Sequence, residues 1–237
     1  MHLTDPNLNA QLSKELEASQ QAFTAFQKAY RDYSAKATLC QQQRDAAEAA
    51  ENSARSFREQ ARALLRELLG KPSKKMQELR AEERAAYTLA EDYRSFIDEL
   101  EIERDETLLA MQEAGRTYTD RRACALGTYA DGLLAQALDH IEPLLKAMTV
   151  EVEVLNRQER FATWRQQGFE NAQEVVMTEI HRRLEQRLYG YRLDHDADPV
   201  YQALPWAHGL NEAQQATPME IKKQRDSLAQ RRAALSA

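Results

Sequence analysis

The chain has 237 residues, a formal charge of −6, 30% charged and 7% aromatic residues, and only 7 Gly and 6 Pro. That length allows one domain or two small ones. Ala, Gln, Glu, Leu and Arg dominate, which describes long helices with narrow apolar seams and argues against a sheet-based core. A pI near 5.5 argues against general nucleic-acid binding and leaves a local basic patch as the one route to a phosphate backbone. Two isolated cysteines, Cys40 and Cys124, have no metal or redox spacing, so a reduced, intracellular protein is expected. "MHLTDPNLNAQLSKEL" lacks the basic-then-apolar pattern of a leader. No apolar run approaches about 18 residues, so no membrane span is expected.

From Leu12 to Leu69 there is neither Gly nor Pro. Leu12, Leu16, Ser19, Phe23, Phe26, Tyr30, Tyr33, Ala37 and Cys40 alternate in steps of four and three, a heptad seam. The same register then meets Arg44, Glu51 and Arg58, while apolar residues shift to Phe57, Leu64, Leu65 and Leu68. That pattern predicts a stutter, or a change of packing partner, along one long helix of roughly 87 Å. Gly70 is its expected C-terminal cap, "GKPS" the connection, and Ser73 the cap of a second helix over 74–114. The second seam holds Met76, Leu79, Ala86, Ala90, Tyr93, Ile97, Leu100, Thr107 and Met111. A short connection makes the two helices antiparallel neighbours. The shorter second helix covers only the later part of the first. Leu16, Phe23, Phe26, Tyr30 and Tyr33 are therefore expected to meet another partner, either the C-terminal region or a second copy of the chain.

Gly115 is expected to end the second helix and Asp120 to cap a third, with Cys124, Leu126, Tyr129, Leu133, Leu134, Ala137 and Leu138 on it, broken or kinked at Pro143. "TVEVEV" (149–154) alternates like a strand but has no second strand to pair with, so a helix is expected. Another helix follows Gly168, from Glu170 to Tyr189. Residues 189–216 are expected to be mostly irregular, held to the body by Tyr191, Leu193, Tyr201, Leu204 and Trp206. The last helix has a strong start signal: Thr217 as N-cap, Pro218 at the first position and Glu220 three residues after the cap. Ile221, Leu228 and Leu235 recur at sevens. From Pro218 onward Lys222, Lys223, Arg225, Arg231 and Arg232 face two acids, Glu220 and Asp226, giving +3 and leaving −9 for the rest.

No phosphate-binding glycine loop, HExxH or GxSxG occurs. "DHDAD" (194–198) with His208 has metal-donor chemistry but no ligand spacing, and a solvated acidic turn is the expected state. His140 and His181 sit in helical patterns as surface or hydrogen-bonded groups. "DELEIERDE" (98–106) packs six acids and one Arg and reads as a solvated, self-repelling face or an acidic docking surface. No catalytic residue, metal or cofactor is expected. The fold expected is all-α: a long antiparallel coiled-coil hairpin over 1–115, a helical body over 116–189, and an irregular segment with a basic helix over 190–237.

Three stretches, "SQQAFTAF", "LLRELLGKPSKKMQELRAEER" and "TPMEIKKQRDSLAQRRAAL", resemble the polarity suppression proteins of satellite bacteriophages. The match is local at the ends and loose over about 117–209. The resemblance implies an intertwined helical homodimer that inhibits the bacterial termination factor Rho, a hexameric RNA-dependent ATPase. Transcription would then continue past terminators. It also implies decoration of the phage capsid, and so residence in the host cytoplasm and in the virion. In that family the C-terminal region acts on Rho, which makes Lys222, Lys223, Arg225, Arg231 and Arg232 the candidate docking residues, with no membrane and no tight direct nucleic-acid contact. A capsid-decorating protein without Rho activity fits the sequence as well.

Overall fold

The computed structural model describes residues 3–69, 71, 73–157, 164, 166–213 and 216–235, apart from the side chain of Leu235. The elements are α1 (Pro6–Glu67), α2 (Lys74–Asp139), α3 (Glu142–Arg157), α4 (Ala172–Gly190), α5 (Pro199–Ala203), α6 (Leu210–Ala213) and α7 (Pro218–Leu235). The fold is all-helical, as expected, and the alternating "TVEVEV" lies inside α3. No described helix is long and apolar enough to cross a membrane. The chain divides into two compact units: Met1–Gln20 with Arg121–Pro205, and Gln21–Asp120 with Trp206–Ala237.

In the second unit, residues 21–67 of α1 and 74–120 of α2 form an antiparallel coiled-coil-like hairpin. Phe26, Cys40, Ala47, Ala54 and Ala61 are buried at heptad spacing along α1, with Tyr33 half-buried between the first two. The expected stutter does not occur. Alanine replaces the aromatics and holds the register, because its short side chain lets the helices stay close. Arg44, Glu51 and Arg58 flank this seam. They pair across the hairpin with Glu101, Arg94 and Glu83 respectively. Phe57, Leu64, Leu65 and Leu68 are half-buried along the same stretch.

Ser73 caps α2 as expected, its Oγ accepting from the Met76 N–H at 3.2 Å. At the end of α1, Leu69 takes the left-handed conformation (φ +50°), and Lys71 donates back to the Leu68 carbonyl at 3.0 Å. Gly70 itself lies outside the described residues.

The largest departure is at Gly115. α2 does not end there and Asp120 caps nothing; the helix continues to Asp139 and has 66 residues against 62 in α1. Gly115 is instead a close approach. A Cβ at this position would lie 2.6 Å from the Ala213 Cβ and 3.1 Å from Phe26 Cε2. The longer α2 brings Met111 and Tyr118 to the aromatic stretch of α1, and Ala207, Leu210 and Ala213 close the cluster around Phe26.

The first unit is built on α1 residues 6–20, α2 residues 121–139, and α3 to α5. Asp5 starts α1, its Oδ1 accepting from the Asn7 N–H at 2.7 Å. Pro143, expected as a breaker, stands in the first turn of α3, where its missing N–H costs nothing. Asn171 caps α4 by accepting from the Glu174 N–H at 3.0 Å. Leu3, Leu12, Ala125, Tyr129, Val200 and Leu204 form the core, with Leu8, Leu16 and Leu126 half-buried against it.

Asp198 fastens α5 into this core. Its Oδ1 accepts from the Val200 N–H at 2.8 Å and the Tyr201 N–H at 3.2 Å, and its Oδ2 accepts from the Tyr129 hydroxyl at 2.8 Å. Burial works against the Asp198 carboxylate, but these donors outweigh it and hold its pKa below the ordinary value. Burial, then the bond to Asp198, pushes the Tyr129 hydroxyl up to about 12. A pKa raised in the folded state means that stability is complete below the unfolded value of about 10 and declines as pH climbs towards 12. Tyr129→Phe is expected to cost about 1 kcal/mol near neutral pH. Urea midpoints from pH 9 to 12 should fall less steeply in the variant than in the parent. Equal slopes would mean that the hydroxyl is not held as described.

Candidate functional site

The five candidate docking cations lie on α7, which begins with the capping box expected from sequence. The Thr217 N–H donates to Glu220 Oε2 at 2.7 Å, and the Glu220 N–H donates to Thr217 Oγ1 at 3.3 Å. The backbone bond, followed by the hydroxyl bond, holds the Glu220 carboxyl below its ordinary pKa. Ile221 and Leu228, two turns apart on one face, are buried against Ile102 and Leu109 of α2.

This packing sets two of the five cations on the acidic stretch of α2 and a third on Glu113, two turns beyond it. Arg231 pairs with Asp105 at 2.8 Å and reaches Glu101 at 3.6 Å, Arg232 pairs with Glu106 at 2.7 Å, and Arg225 pairs with Glu113. From the other side α1 adds Lys36 to Glu103 and Arg44 to Glu101. "DELEIERDE" is therefore not the self-repelling, solvated face expected of it: cations from two other helices flank it. Its apolar residues Leu100 and Ile102 are buried. Lys222 and Lys223 are exposed and have no ion pair among the described residues.

Magnitudes show how α7 is held. Two buried aliphatic side chains contribute about 1.5–3 kcal/mol each. Each exposed ion pair adds at most about 1 kcal/mol and weakens with salt. The contact is also incomplete. A cleft of about 450 Å³ lies between Tyr33, Gln112, Glu212 and Gln224. A second, of about 250 Å³, lies between Leu108, Leu109, Ser227 and Arg231.

The residues expected between two chains are placed as follows. Phe26 is 1% exposed and is covered by its own chain, through Met111, Tyr118, Ala207, Leu210 and Ala213. Phe23, Tyr30 and Tyr33 are half-buried around the same cluster. The Phe23 ring stands 5.2 Å from Tyr118, and Tyr30 meets His208 edge-on at 5.6 Å. Leu16 is half-buried against the core of the first unit. Of the two partners the sequence left open for these aromatics, the C-terminal segment is the one present in the structure.

A different apolar surface was not singled out by sequence. α3 contributes no buried residue, and Leu145 and Val150 stay about half exposed. Leu134 on α2, and Leu184, Leu188 and Tyr189 on α4, are more exposed still, Leu188 at 71%. Leu184, Leu188, Gly190 and Tyr191 line an open depression of about 700 Å³. The anchors expected for 189–216 are only partly used. Leu204 is buried and Tyr201 half-buried, whereas Tyr191, Leu193 and Trp206 face outward.

The "DHDAD" segment is a turn that leads into α5. Asp194 Oδ1 accepts from the Asp196 and Ala197 N–H groups at 3.1 Å, and the His195 ring stacks on Tyr201 at 4.4 Å. No group of three or more His, Cys, Asp or Glu is placed to hold a metal among the described residues. No protein-family model matches the chain, and neither a curated protein nor a solved structure is significantly similar to it.

Proposed function

We propose that this chain is a non-enzymatic inhibitor of the bacterial termination factor Rho that acts by contact through α7. The observation that carries the reading is α7 itself: a discretely capped, cationic helix in an otherwise strongly acidic chain. The stretch that forms it is one of the three that resemble the polarity suppression proteins. A terminator read-through assay with purified Rho tests the reading. Reversing Lys222, Lys223, Arg225, Arg231 and Arg232 to Glu should abolish inhibition. Because three of these then face Glu113, Asp105 and Glu106 of their own chain, Lys222→Glu with Lys223→Glu is the companion variant that keeps helicity and should also weaken inhibition. Inhibition by the parent should fade with added salt, since exposed charges are screened over about 8 Å at physiological ionic strength. Full inhibition by the five-fold variant would reject α7 as the docking element.

We also infer that the chain works as a homodimer joined through the outward apolar face of the first unit and not through Phe26. Leu145, Val150, Leu184 and Leu188 are half exposed or more on two helices that pack on each other, and exposed apolar side chains in such number are what an interaction site offers. α4 also carries both signs, with Arg182 and Arg183 on Glu179, so two copies can meet without net repulsion. Leu184→Asp with Leu188→Asp is expected to give a monomer by sedimentation at micromolar concentration with unchanged helicity. Persistence of a dimer would exclude this face. The same face favours a second reading, decoration of a phage capsid, for which co-sedimentation with empty shells is the test.

A further inference from the structure

We propose that the acidic face of α2 is an intrachain clasp for α7, and that it competes with an acidic partner surface for the same arginines. The inference rests on α7 being the docking element. Arg225, Arg231 and Arg232 are the cations best suited to a planar two-point grip on carboxylates, and all three are engaged by Glu113, Asp105 and Glu106 of their own chain. Each N–H committed to these carboxylates is one that a partner's carboxylate cannot use, so a two-point grip on a partner competes with the hold on α2 and favours lifting of the helix.

The geometry is that of an element able to leave. α7 has one narrow apolar line, Ile221 and Leu228, and its remaining hold is ionic and exposed. Clefts remain along its contact with α2 at Gln112 and Gln224 and again at Ser227 and Arg231. Its capping box is made entirely within the helix, between Thr217 and Glu220, so the start of the helix does not depend on α2. Lys222 and Lys223, exposed and outside the clasp, are positioned to meet a partner first. The α2 face then holds the arginines until a surface with more, or better placed, carboxylates takes them over.

The clasp predicts a sign opposite to that of simple packing. Glu106→Gln and Glu113→Gln together leave every α7 side chain intact and remove only seats of α7; Asp105 is kept because it also pairs with Arg104 at 2.6 Å. Glu101 and Glu103 are spared because they also hold α1. Amide hydrogen exchange in 218–235 is expected to quicken at least tenfold in this variant while 74–100 keeps its protection. The concentration of the chain needed to inhibit purified Rho should fall severalfold. Added salt should quicken exchange in the parent and have less effect in the variant. Unchanged exchange in 218–235 would overturn the clasp. Quickened exchange with no fall in the inhibitory concentration would overturn the competition. If the parent chain leaves Rho untouched, the proposed function falls, and the clasp is decided by exchange alone.

Discussion

Phe26→Asp is expected to destabilise the second unit by several kcal/mol and to cost the chain much of its helicity. Loss of a buried phenylalanine side chain alone costs about 3–5 kcal/mol. The incoming carboxylate would be buried beside Met111, Tyr118, Leu210 and Ala213, none of which brings a compensating charge, and that adds a few kcal/mol more. Total stabilities of domains are about 5–15 kcal/mol, so this one change consumes much of the margin. Helical circular dichroism against urea is the measurement. It also separates two placements of the ring. If Phe26 sealed a junction between two chains, the variant would be a monomer with native helicity. Because Met111, Tyr118 and the 207–213 segment cover it within one chain, the variant should lose structure whatever its oligomeric state. A well-folded monomeric Phe26→Asp protein would therefore sink the single-chain cluster.

What was legible in the sequence was local or periodic. The seam from Leu12 to Cys40 was visible because a helix repeats its contacts every seven residues, and Leu12, Ser19, Phe26 and Cys40 are indeed the buried ones. The caps at Ser73 and Thr217 were visible because a cap is completed within four residues. The seam beyond Cys40 was lost because Ala47, Ala54 and Ala61 are weak apolar signals, while Arg44, Glu51 and Arg58 at the flanking positions are loud ones. Their partners Glu101, Arg94 and Glu83 lie on the other helix. The candidate site failed for the same reason. The acidic run on α2 and the basic helix α7 were each recognised, but nothing in either shows that Arg231 and Arg232 reach Asp105 and Glu106. The apolar face of α3 and α4 was missed because residue type does not distinguish a leucine that packs, such as Leu204, from one left outside, such as Leu188.

Gly115→Ala and Gly127→Ala, on the same helix, are expected to have opposite signs. Glycine inside a helix is worse than alanine by about 0.5–1 kcal/mol, because it loses more backbone freedom on folding. At Gly127 a Cβ would meet nothing within 4 Å, so Gly127→Ala should stabilise by about that amount. At Gly115 the same atom would stand 2.6 Å from the Ala213 Cβ. A methyl fixed to the backbone has no rotamer by which to withdraw, so either α6 or α2 must shift. Overpacking of this kind costs about 1–3 kcal/mol, which exceeds the propensity gain. Gly115→Ala should therefore lower the unfolding midpoint, and Gly115→Val should lower it further, with Phe26 losing cover as the 207–213 segment is pushed outward. The outcome tests more than one glycine. If both alanine substitutions stabilise, α6 is not seated over position 115, and the C-terminal segment no longer accounts for the burial of Phe26. The aromatic stretch of α1 would then again need a partner from a second chain.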